Sequence, residues 1–115
     1  MEDKYKSIET LKKVSDLIVK TNCSVRLKVI DNSEPERWGG MVGFPSMNYL
    51  EINGPVHVGE IEWLDIDPIE VKHIGRLVKP KIIDHQDSLS SSLEEVGLEY
   101  VIVDGVFRIF IKNIS

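Results

Sequence analysis

Near the N-terminus apolar residues recur at three- and four-residue steps, at Ile8, Leu11, Val14, Leu17 and Ile18, with Lys12, Lys13, Asp16 and Lys20 between them. That spacing predicts an amphipathic helix over residues 7–20, with Ser7 as its N-cap. The period then drops to two. Cys23, Val25, Leu27 and Val29 alternate with Ser24, Arg26 and Lys28, as in a strand over 23–30 with one buried and one wet face. From Asp31 to Ser46 neither period holds, and Pro35, Gly39-Gly40, Gly43 and Pro45 predict a long loop. Trp38, beside Arg37 and two glycines in that loop, reads either as a plug over the core or as an interface anchor.

Met47 to Ile52 predicts a short strand, and Asn53-Gly54 after it is a hairpin signal, because both residues tolerate the positive φ of a tight turn. The returning strand is then the stretch through Val56 and Val58 into Gly59–Asp67, which Pro68 stops. Its apolar residues do not keep one parity. Ile61 and Trp63 point one way and Leu64 and Ile66 the other, so either both faces are covered or a bulge near Trp63 re-aims the strand. Residues 69–78 leave room for one further short strand beside Gly75. Leu89, Leu93 and Val96 predict a second helix over 88–96, capped by Asp87 or Ser88 and stopped by Gly97. Leu98–Val103 and Val106–Ile111 are two strands joined by Asp104-Gly105. The expected fold is a single α+β domain over residues 1–115, one mostly antiparallel sheet with two helices packed on it, in the order α-β-β-β-(β)-α-β-β.

Charge changes this picture at one place. Glu60, Glu62, Asp65, Asp67 and Glu70 lie together without a Lys or Arg, and removing those five from 19 acidic residues leaves 14 against 14 basic ones. The net charge of −5 therefore sits in this one stretch. Such a cluster is either a solvated strand or a recognition surface for a cationic protein. The acidic balance argues against a nucleic-acid partner, which calls for Lys and Arg on phosphates. No apolar run approaches the roughly 20 residues that cross a bilayer, and Met1-Glu2-Asp3-Lys4 opens no signal peptide, so the expected location is cytoplasmic. The single cysteine, Cys23, heads an alternating strand and reads as a small core residue.

Chemistry has few footholds. His57, His73 and His85 show no helical metal-pair spacing, no cofactor is implied, and Asp84-His85 beside Asp87 reads as helix capping. Asp65, Asp67, Glu70 and Lys72 superficially resemble the carboxylates and Glu-x-Lys of metal-dependent nucleases, but they share one segment interrupted by Pro68.

The stretches Ile61-Glu62-Trp63-Leu64-Asp65-Ile66-Asp67-Pro68, Gly75-Arg76-Leu77, Lys79-Pro80-Lys81-Ile82-Ile83-Asp84 and Asp104-Gly105-Val106-Phe107-Arg108-Ile109 resemble a family of small, uncharacterised bacterial proteins, a domain of unknown function. The resemblance covers about half the chain, from Glu60 onward. Proteins of this size and charge are similar in character to the immunity proteins that bacteria make against secreted toxins. The resemblance and the acidic stretch together imply a non-catalytic inhibitor in which Glu60, Glu62, Asp65, Asp67 and Glu70 meet the basic substrate groove of a toxin, expected to be a nuclease, with Trp38 as apolar anchor. The alternatives are a metal-dependent hydrolase using Asp65, Asp67 and Glu70, and a housekeeping binding module.

Overall fold

A computed structural model describes residues 2–46 and 49–111, with side chains over 12–40 and 49–111. The helical period of the N-terminal segment becomes helix α1, Glu2–Thr21, which starts earlier than the predicted cap and runs through Ser7. The side chains of Ser7, Ile8 and Leu11 lie outside the described set, as do Met47 and Asn48 altogether. Val14 and Ile18 are buried, and the helix ends where Asn22 turns to φ 57°, a left-handed position that Asn tolerates.

The chain continues through strands β1 (Ser24–Val29), β2 (Gly39–Ser46), β3 (Tyr49–Ile52) and β4 (Pro55–His57), then a single 3-10 turn at Val58–Glu60 and strand β5 (Ile61–Ile66). Strands β6 (Ile69–Lys72) and β7 (Lys81–Asp84), helix α2 (Gln86–Glu95), and strands β8 (Val101–Val103) and β9 (Val106–Phe110) complete it. Seven strands form one antiparallel sheet in the order β4-β3-β2-β1-β5-β9-β8, and β6 and β7 form a separate two-stranded ribbon. The molecule is an α+β fold whose two helices pack with a mostly antiparallel sheet.

Three expectations are corrected. The region read as loop up to Ser46 contains strand β2, whose glycines and proline hide its period. The Asn53-Gly54 turn does make a hairpin, with Asn53 at φ 55°, but β3 returns along β4. The 3-10 turn then carries β5 away to pair with β1 and β9. Helix α2 begins at Gln86, so Asp87 lies in its first turn, and Asp84 Oδ1 accepts the Gln86 N–H at 2.9 Å.

Val25, Leu27, Leu64, Ile66, Phe107 and Ile109 stand opposite one another across β1, β5 and β9. They share one buried core with Val14 and Ile18 of α1 and Leu89 and Leu93 of α2, so both helices cover the same sheet face. Cys23 is buried in that core, and burial pushes its thiol pKa up, away from a reactive thiolate. Ile61 belongs to this core too, although it is three residues from Leu64. The reason is a bulge. Val29 pairs with Ile61 and Lys28 with Trp63, which leaves Glu62 as an extra residue on β5. Both accounts of the broken parity hold: the bulge turns Ile61 inward and puts Trp63 and Asp65 on the face that no helix covers, where both are nevertheless buried.

Candidate functional site

The register places Arg26, Lys28, Trp63, Asp65, Arg108 and Phe110 on that open face, because each pairs with another member across β1, β5 and β9. Asp65 lies at its centre and is fully buried. Arg108 grips it with two donors, Nε to Oδ1 at 2.8 Å and Nη2 to Oδ2 at 3.1 Å, and Arg26 Nε donates to Oδ2 at 3.1 Å. A buried carboxylate is tolerable only with this degree of charge pairing. The carboxylate in turn holds the Arg108 guanidinium above its ordinary pKa, chiefly through these hydrogen bonds.

Two indoles extend the arrangement. Arg108 lies 3.9 Å from the Trp63 ring centre, and Arg26 lies 4.6 Å from that of Trp38 and 5.9 Å from that of Trp63. Trp38 reaches this position because the chain doubles back after β1. Glu36 N donates to Leu27 O at 2.8 Å, and Gly39 and Gly40 open the pairing of β2 with Val25 and Ser24. A Cβ at Gly39 would stand 2.6 Å from Asn53 Oδ1, so the glycine leaves room for the Asn53 amide, which donates to Arg37 O at 3.2 Å. Trp38 remains 38% exposed and outside the apolar core, so it stacks on a cation where a core plug was one expectation. Lys28 pairs with Glu62 beside the stack.

The five carboxylates that looked continuous in sequence do not share one outward patch. Asp65 is locked under two guanidiniums, and Glu62 is paired with Lys28. Asp67 Oδ1 accepts the Ile69 N–H at 3.0 Å and so shapes the turn around Pro68. Glu70 bonds His85 Nε2 at 2.9 Å and accepts from Asn22 Nδ2 at 3.2 Å. These two hydrogen bonds, His85 first, hold its carboxyl below the usual pKa range. Glu60 is exposed, at the end of the 3-10 turn. The physical reason is that the bulge and Pro68 each re-aim the backbone between neighbouring carboxylates.

The same placement bears on metal chemistry. Both Asp65 oxygens face guanidiniums, and among the described residues no group of three His, Cys, Asp or Glu is placed to hold a metal ion. His57 packs edge-on to Tyr49 at 5.1 Å and its Nδ1 accepts the Gly59 N–H, while His73 is exposed. No described helix is long and apolar enough to cross a membrane.

Arg26, Arg108 and Trp63 were not read as site residues from the sequence. The signal that finds them is one Arg at an outward position in each of two strands that flank an acid in a third, which becomes visible once the strand order is known.

Neither a curated protein nor a solved structure matches the chain. A family match does exist, and it spans most of helix α1, both flanks of Asp65 and the ribbon: over residues 9–111 the chain belongs to a family of unknown function, DUF6678.

Proposed function

We propose that the protein is a binding module that recognises a protein partner through the open face around Trp38, Arg26, Trp63 and Arg108, and that it acts by covering that partner. The observation that carries this reading is the stack itself: the exposed Trp38 and the half-buried Arg26 and Arg108, held in fixed geometry over the buried Trp63 on the one sheet face free of helices. Trp and Arg dominate the energetics of protein interfaces, and side chains already immobilised lose little entropy on binding. Asp65 supplies that immobilisation from beneath, so it is a positioning residue for the two guanidiniums.

Neutralisation of a secreted bacterial toxin, in the manner of an immunity protein, fits such a module because it asks for tight occupancy and no chemistry. The charge of the face refines the partner. Arg26, Lys28 and Arg108 outnumber Glu62 and Asp65 by one, which suits a partner surface carrying carboxylates beside apolar groups. A basic nuclease groove, the partner read from the acidic stretch, would meet an exposed Glu60 but not Asp65, which is buried under its guanidiniums.

The test is to look for a toxin domain encoded beside the gene, co-express the two, and measure the purified pair by calorimetry. The native chain protects and binds, and Trp38→Ala weakens binding by about 10-fold or more, as expected for an interface anchor. Protection and affinity that survive Trp38→Ala and Arg26→Ala together would move the interface off this face.

A further inference from the structure

Strands β6 and β7 pair with each other outside the main sheet, and every residue from Val71 to Ile82 is exposed. Among the described residues, the hydrogen bonds that tie this ribbon to the body lie at its root. His85 N donates to Pro68 O at 2.8 Å, Glu70 meets His85 and Asn22, and Asp84 Oδ1 accepts the Gln86 N–H. The register sets the exposed Ile69, Val71 and Ile82 on one face and Lys72 and Lys81 on the other, so apolar groups and cations part company along the strands. At the end of the ribbon they meet. Lys72 and Lys81 are the last pair, and the loop beyond them carries Ile74 and Val78, each 57% exposed, and Leu77, 100% exposed, together with Arg76 and Lys79.

Charge follows the same axis. Residues 71–83 hold Lys72, Arg76, Lys79 and Lys81 and no acid, which leaves ten basic residues against all 19 acidic ones elsewhere. The acids that flank the stretch, Glu70 and Asp84, sit at the root. Apolar side chains are therefore outermost, with cations beside and just behind them. A bilayer leaflet with anionic headgroups, met end-on, imposes that order: apolar groups pass the headgroups, and Lys and Arg stems run beside them while the charged ends stay at phosphate. A protein would need a pocket shaped to this convex tip, whereas a fluid lipid surface needs no matching shape. The acidic excess of the body does not forbid the approach. The four pairs of the ribbon, at about 3.3 Å each, span roughly 13 Å, which exceeds the Debye length of about 8 Å at physiological ionic strength.

We propose that the ribbon tip is a peripheral membrane anchor: Ile74, Leu77 and Val78 enter the interface of an anionic bilayer while Lys72, Arg76, Lys79 and Lys81 lie among its headgroups. Each cation near such a surface strengthens attachment about 5-fold, so four of them with a shallow apolar wedge give reversible binding without a spanning helix. The tip shares no residue with the Trp38–Arg26 face, and attachment does not depend on the protein partner.

The test is co-sedimentation of the full chain with vesicles of phosphatidylcholine, alone or mixed with phosphatidylglycerol, at low and high salt. The samples are the native chain, Leu77→Asp and K79E/K81E. The substituted residues are all exposed, and circular dichroism checks that each variant keeps the fold. The native chain sediments with the anionic vesicles and not with the neutral ones, and salt releases it. K79E/K81E weakens binding by about 30-fold or more, as loss of two headgroup contacts requires. Leu77→Asp weakens it by about 10-fold or more, because the outermost apolar group becomes a charge at the interface. A further variant, Leu77→Trp, reports insertion directly: brominated lipid quenches the emission that it adds to that of the native chain. Equal binding to neutral vesicles, binding that either charged variant leaves unchanged, or added emission that the brominated lipid leaves intact overturns the proposal. A native chain that stays in the supernatant overturns it too, and assigns the tip to a protein surface carrying carboxylates.

Discussion

Strands β5 and β6 are separated by Asp67 and Pro68 alone, and both are built from β-branched and acidic residues, yet they have opposite fates. β5 lies between β1 and β9 and buries Ile61, Trp63, Leu64, Asp65 and Ile66, whereas β6 has β7 as its one neighbour and leaves Ile69 and Val71 exposed. Even their acids differ. Asp65 is sealed by two arginines, while Glu70 is held at the margin by His85 and Asn22. Residue type does not separate these strands; the number of neighbours does, because a strand flanked on both sides and covered by helices exchanges almost all of its water for protein.

The contrast is broken most severely at Asp65. Replacing it with Ala strands two guanidiniums on a sheet face, at a cost of about 3–5 kcal/mol for an uncompensated buried pair. Arg26 and Arg108 keep 28% and 20% of their side-chain exposure, which places the cost near the lower end. Urea denaturation reads it, and a loss under about 1 kcal/mol would mean that the clamp contributes nothing net. Gly39→Ala is milder, about 1 kcal/mol as a small overpacking, since the new Cβ meets the end of the Asn53 side chain. Its larger consequence is displacement of Trp38, seen as weaker partner binding.

The Asn53-Gly54 and Asp104-Gly105 turns were legible because a turn is decided by a few adjacent residues, and all four lie at positive φ. The helices were legible from their period. The choice of partner for β5 was not, because three residues of 3-10 turn at Val58–Glu60 redirect the chain without any change in composition. The Arg26–Asp65–Arg108 face was hidden for a related reason: the alternation that set Arg26 outward held, but a count of charge along β5 does not register the extra residue at Glu62 that sends Asp65 to meet it.

At the ribbon root the expected effect is smaller and confined to acid. The Glu70 carboxyl has a folded pKa below its unfolded value, so its contribution is present above the unfolded value and is lost as pH falls through the folded one. Glu70→Gln therefore flattens the acid limb of the stability curve below the ordinary carboxylate range, measured by thermal melts against pH. The smallest effect belongs to the ribbon tip. Leu77→Asp changes monomer stability by no more than about 0.5 kcal/mol, as for other surface sites, because the side chain is wholly exposed. A marked destabilisation would show that the tip packs on the body.

The two tryptophans, Trp38 and Trp63, flank the same guanidinium, that of Arg26, on the helix-free face. The intrinsic ultraviolet emission of the protein therefore originates almost wholly from that surface. A ligand arriving there quenches or shifts the signal without any added dye.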